Sequence, residues 1–88
     1  MDKEIPKSIH NLATSHDFQP SVRIGKSGIT DLLIVEIKSQ LAKKSVVKIK
    51  INRGLFEKKD IKNVWNSLAE ETSSTLVLAR GNVGVLWQ

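Results

Sequence analysis

Gly25-Lys26-Ser27-Gly28 is the stretch of this 88-residue sequence whose residue types and spacing point most directly to chemistry. Glycines at both ends of a four-residue join allow φ > 0 and let a partner approach without a Cβ in the way. If a helix begins just after them, the amides of Ser27 to Thr30 point out of its start unpaired, with the positive end of the helix dipole behind them. That combination seats a phosphate. Lys26 adds a mobile positive charge at the rim. Thr30 suits an N-cap, and Asp31 suits the first turn, where it serves helix stability rather than anion binding. Gly-Lys-Ser also invites comparison with a P-loop, but that motif needs a glycine five residues before Gly25, and Pro20 stands there. A nucleotide-triphosphate site is therefore excluded. A strand-to-helix turn that uses its glycines only for geometry is the plainer alternative.

The loop joins two hydrophobic periods. Before it, Val22-Arg23-Ile24 alternates as a short strand, with Pro20 suited to an edge-strand entry. After it, Ile29, Leu33, Ile37 and Leu41 recur every fourth residue with Leu32 beside them, which predicts a helix over about Thr30 to Lys43. Lys43 and Lys44 complement the dipole at its end as solvated caps, and Lys38 lies off the apolar stripe.

Fourteen Lys and Arg against nine Asp and Glu give a net charge of +5, which favours an acidic polymer as partner. The sequence has no cysteine, so disulfides and cysteine-ligated zinc are excluded. His10 and His16 are too few for a metal cluster, and His10 falls on the polar side of its helix as a surface residue. No apolar run approaches the ~20 residues that span a bilayer, and Met1-Asp2-Lys3-Glu4 lacks a leader pattern. The expected setting is cytoplasmic and reducing, with no cofactor and no membrane partner. The length fits one domain over residues 1–88.

Ile5, Ile9, Leu12 and Ala13 predict a first helix over about Ile5 to Thr14, with Pro6 in its opening turn. Val46-Val47-Lys48-Ile49-Lys50-Ile51-Asn52 is the clearest strand: Val47, Ile49 and Ile51 share a buried face, while Lys48 and Lys50, with Arg53 at the strand end, project the other way. Ile61, Val64, Trp65 and Leu68 predict a third helix over about Phe56 to Thr72, with Trp65 in the core rather than as a base-stacking platform. Lys58, Lys59 and Lys62, with Glu57 and Asp60, form its solvated face. Thr75 to Ala79 and Val83 to Trp87 form an antiparallel hairpin across Arg80-Gly81-Asn82. The expected fold is α/β of the α+β type, in the order α-β-α-β-α-β-β. Its four-stranded mixed sheet carries the second and third helices on one face.

Leu12-Ala13, His16, Pro20, Val22 and the run Ile24 to Thr30 closely resemble the YhbY-like or CRM family (chloroplast RNA splicing and ribosome maturation). There, a helix ending in Leu-Ala-His precedes a Pro-containing strand entry and an Ile-Gly-Lys-x-Gly-Leu-Thr loop. Val47-Lys48-Ile49-Lys50 resembles the family's Ile-Lys-Val-Lys strand, Glu71-Thr72 the Glu-Thr closing its third helix, and Val83 to Trp87 its last strand. The resemblance covers nearly the whole chain. It implies RNA binding through Gly25, Lys26, Ser27 and Gly28, with basic character at Lys48 and Lys50. It also implies a ribosome-associated or ribosome-assembly role. The sequence departs from the family where glycine is common near Ser73 or Ser74, and where Trp87-Gln88 replaces a Tyr-Arg ending with its basic tail.

The expected function is a non-catalytic RNA-binding module, with structured rRNA or another non-coding RNA as partner and a ribosomal particle as a candidate assembly. Phosphate contacts position RNA without reading its sequence. Selectivity is then left to RNA shape or unpaired nucleotides, because no aromatic-rich strand resembles an RRM stacking surface. A KH domain also clamps backbone nucleotides with GxxG, but there the loop joins two helices, whereas Val22 to Ile24 reads as a strand. From another class, an assembly module docking on a ribosomal particle mainly through protein contacts is the alternative. An enzyme is the third reading, and no nucleophile, base and orienting group converge for it.

Overall fold

The computed structural model describes residues 4–88; Met1 to Lys3, part of the stretch read for a leader pattern, lie outside them. The elements follow the expected order: α1 (Lys7–Ala13), β1 (Val22–Ile24), α2 (Asp31–Lys44), β2 (Val46–Ile51), α3 (Lys58–Glu71), β3 (Thr75–Arg80) and β4 (Val83–Trp87). The strands form one mixed sheet in the order β1-β2-β4-β3. β1 pairs with β2 in parallel, as the intervening α2 crossover requires, and β4 lies antiparallel between β2 and β3.

The alternation of β2 decides which side of the sheet is filled first. Val47, Ile49 and Ile51 are fully buried, and Val22 and Ile24 of β1 join them on the same face. Ile37 and Leu41 of α2 and Ile61, Trp65 and Leu68 of α3 pack against that face, so both long helices share it. The other face carries a smaller cluster. There Ala13, Val46 and Val85 are buried, with Ile9, Phe18 and Trp87 packed around them, and α1 lies against β3.

Three boundaries differ from the sequence reading for local reasons. Pro6 is the N-cap of α1 in extended backbone rather than part of its first turn, so the helix begins at Lys7. Phe56 precedes α3, and its ring and Leu55 pack on the core from the connecting loop. In α2 the every-fourth-residue pattern overruns: Ile29 lies before the helix, and Leu32 sits about 140° around the axis from Ile37. Leu32 is consequently 81% exposed, and Ile34, half-buried, takes the core position instead.

The chain also uses two serines in left-handed backbone, Ser45 at φ 68° after α2 and Ser73 at φ 54° after α3. Next to Ser73, Thr72 is buried. Its hydroxyl donates to the Leu68 carbonyl at 2.7 Å and lies 2.7 Å from the Ser74 hydroxyl, so no buried polar atom is orphaned there.

Candidate nucleic-acid interface

The Gly25–Gly28 segment is a tight turn between β1 and α2. The Gly28 amide donates to the Gly25 carbonyl at 2.9 Å, leaving Lys26 and Ser27 exposed at the tip. Only Gly28 takes a positive φ, 69°. An added Cβ at Gly28 would meet nothing within 4 Å, so the backbone angle, not space, calls for glycine. An added Cβ at Gly25 would sit in ordinary contact with the Asn52 amide nitrogen at 3.6 Å, and its backbone needs no glycine.

The start of α2 explains the sequence that follows. Thr30 is extended, and its side-chain oxygen accepts from the Leu33 amide at 3.1 Å, while its carbonyl accepts the first helical bond from Ile34. Asp31 stands in the first turn. The expectation that the amides from Ser27 to Thr30 are all free is corrected at Gly28, whose amide closes the turn. The Ser27, Ile29 and Thr30 amides remain unpaired, and those of Asp31 and Leu32 join them at the positive end of the helix. A cleft of about 260 Å³ lies over this corner, lined by the glycine turn together with Arg23, Thr30, Leu32, Leu33 and Glu36. Free N–H groups, a helix dipole and two cations can hold an anion here, with Glu36 the one carboxylate that the described residues place on the lining.

The two strand lysines part company. Lys50 is exposed and stands in direct register with Arg23 on β1, which places both side chains on the same face. Lys48 is half-buried. Its ammonium donates to the Phe18 carbonyl at 2.7 Å and lies 5.8 Å from the centre of the Phe18 ring. The backbone ahead of Pro20 therefore occupies it, on the face where α1 packs. Alternation by itself marks Arg23 only as the polar residue of a strand. Its partnership with Lys50 is not visible there because parallel register is fixed by the whole sheet, not by either strand's sequence. A second cleft of about 510 Å³ is lined by Arg23, Lys50, Asn52, Arg53 and Asn82, with no carboxylate among the described residues.

Among the described residues the one ion pair joins Lys59 to Glu57 at 3.4 Å on the solvated side of α3, so Arg23, Lys26, Lys50 and Arg53 are all uncompensated. Among the described residues no group of three metal-ligating side chains is found, and no helix is long and apolar enough to cross a membrane. His10 and His16 are exposed. Trp65 is fully buried, its indole N–H donating to the Gly81 carbonyl at 3.0 Å, as a core tryptophan should.

Comparison with known proteins bears on the family and the fold. The CRS1 / YhbY (CRM) domain model matches residues 7–88. The solution structure of a hypothetical protein from Staphylococcus aureus, proposed to bind RNA, superposes with a TM-score of 0.68 at 30% sequence identity, covering 83% of this chain and 74% of that one. No curated protein gives a significant sequence match.

Proposed function

Since the chain belongs to the CRS1 / YhbY (CRM) domain family, we propose that it is a non-catalytic RNA-binding module that grips backbone phosphate at Gly25, Lys26, Ser27 and Gly28. The observation that carries this reading is the placement of an exposed, unpaired Lys26 on a turn directly before the capped start of α2. A phosphate there meets amide donors, the helix dipole and a mobile ammonium together. Lys50 extends the field beside Arg23, whereas Lys48, held by Phe18, contributes only at longer range. The proposed partner is structured RNA such as rRNA, in a ribosome-associated or ribosome-assembly role. The Staphylococcus aureus relative, itself proposed to bind RNA, supports the partner class.

The test is titration of structured RNA with the wild-type protein and a Lys26→Asp, Ser27→Asp variant at low and near-physiological salt, with circular dichroism as the check on folding. The expected outcome is salt-sensitive wild-type binding that collapses in a folded variant. Equal binding by both proteins moves the function away from the loop.

One observation favours the protein-contact reading. Leu32 and Val35, 81% and 61% exposed, leave an apolar strip on the outer side of α2. If this chain docks on a ribosomal particle mainly through protein, Val35→Ser releases it from the particle and the loop variant does not.

A further inference from the structure

The C-terminal ends of β1 and β2 and the β3–β4 turn all lie at one end of the sheet, as the pairing registers require. Three clefts meet there and share walls. Arg23 lines both the cleft over the glycine turn and the one at the sheet end. Arg53 and Asn82 line both the sheet-end cleft and a third, larger one of about 800 Å³ between the start of α3 and the hairpin.

This third cleft differs in chemistry from the other two. Its walls and floor are apolar, from Phe56, Ile61, Trp65, Leu76 and Ala79. Its rim is cationic, with Arg53, Lys58 and Lys62, and among the described residues no carboxylate lines it. The side-chain amides of Asn66 and Asn82 face it with no hydrogen-bond partner among the described residues, so both retain donors and acceptors. Apolar walls, a few unspent polar groups and this volume suit a flat heterocycle better than a bare phosphate.

We propose that the three clefts form one track for a single RNA strand. Backbone phosphate is held at the glycine turn, the strand passes Arg23, Lys50 and Arg53, and an unstacked base enters the apolar cleft beside α3. Two observations carry this: the continuity of lining residues from one cleft to the next, and a run of cations that, among the described residues, is broken by one acid, Glu36, at its loop end. Unpaired bases are what proteins read in RNA, stacked on aromatic rings or guanidinium planes and hydrogen-bonded at their edges, and Phe56, Arg53, Asn66 and Asn82 offer such groups here. The inference rests on the RNA-binding reading and adds where sequence-dependent contact is made.

The test compares two RNA stem-loops, one with an eight-nucleotide loop and one whose loop keeps its sugars and phosphates but lacks bases. The wild-type protein is expected to prefer the complete RNA by about tenfold, the order of one base contact. Ala79→Leu fills the cleft from the exposed edge strand β3. It is expected to bring the two affinities within about twofold while binding to the base-free RNA is retained. In nitrogen-15 spectra the Trp65 indole N–H should shift with the complete RNA and not with the base-free one, with Trp87, on the opposite face, as the internal control. Asn66→Ala, an exposed position on α3, probes the same contact if Ala79→Leu lowers the melting temperature. Wild-type protein that binds both RNAs equally, or an Ala79→Leu variant that keeps the full preference, overturns the track and leaves phosphate binding at the loop intact. Binding of neither RNA overturns the RNA reading itself and the track with it.

Discussion

At the scale of single residues, the two glycines of the loop have different work. Gly28 holds a φ of 69°, where an L-residue costs about 1–2 kcal/mol, so Gly28→Ala should lower unfolding free energy by that amount in urea titration. Gly25 is under no such demand, and Gly25→Ala should change stability by less than about 0.5 kcal/mol. Any loss of RNA affinity in the folded Gly25→Ala protein then reports close approach of the ligand. Ser73 is the converse case. The family's common glycine near this position finds its physical reason in a φ of 54°, which serine adopts here against its preference. Ser73→Gly should raise stability by up to about 1 kcal/mol, seen as a higher urea midpoint at unchanged m-value. Gly84 is fixed by contact instead. A Cβ there would lie 2.7 Å from the Trp65 ring, and neither the strand backbone nor the buried indole has room to withdraw. Gly84→Ala should cost about 1–3 kcal/mol by overpacking, measured in the same titration.

At the scale of elements, α2 does two jobs with one terminus. Its first turn is closed on the inner side by Thr30, while the amides of Asp31 and Leu32 stay open. Thr30→Ala removes the cap at a cost of about 1 kcal/mol and frees the Leu33 amide. If the helix start seats phosphate, RNA affinity in the folded variant should fall less than in Lys26→Asp, Ser27→Asp, because the dipole survives and the charge at the rim is untouched. A loss as large as that of the loop variant would mean that positioning of the turn by the cap, rather than the charge of Lys26, dominates. β2 likewise divides its lysines by neighbours. Lys48 meets Phe18 because the segment between α1 and β1 runs over the middle of the strand, and Lys50 remains open because that segment has already passed.

At the scale of the whole molecule, a net charge of +5 is less informative than where the charge is unpaired. Lys59, on the solvated side of α3, is paired with Glu57, whereas the cations at the sheet end line clefts in which Glu36 is the only acid among the described residues. Arg23→Gln should therefore weaken RNA binding and flatten the plot of log K against log salt by about 0.7, the contribution of one phosphate contact to a single strand. Lys59→Gln, on the solvated side of α3 and paired with Glu57, should leave that slope unchanged. Equal slopes for all three proteins would place the phosphate contacts elsewhere.

What the sequence determined by itself is whatever local chemistry could settle. The strict alternation of Val47, Ile49 and Ile51 fixed a strand and its buried face. The spacing of Ile61, Trp65 and Leu68 fixed a helix with tryptophan inside. Thr30 beside Asp31 marked the start of α2 to the residue, and the glycine loop with its flanking motifs pointed to the family. The tertiary structure decided what depends on neighbours distant in the chain. Sheet order set Arg23 beside Lys50 and brought Arg53 and Asn82 to the same end of the sheet. The Phe18 segment occupied Lys48, which alternation alone could not separate from Lys50. The turn spent the Gly28 amide, and the helix axis turned Leu32 away from the core that its apolar character foretold. Each of these is a matter of which surfaces meet, and a hydrophobic period or a charge says which face a side chain is on but not what stands opposite it.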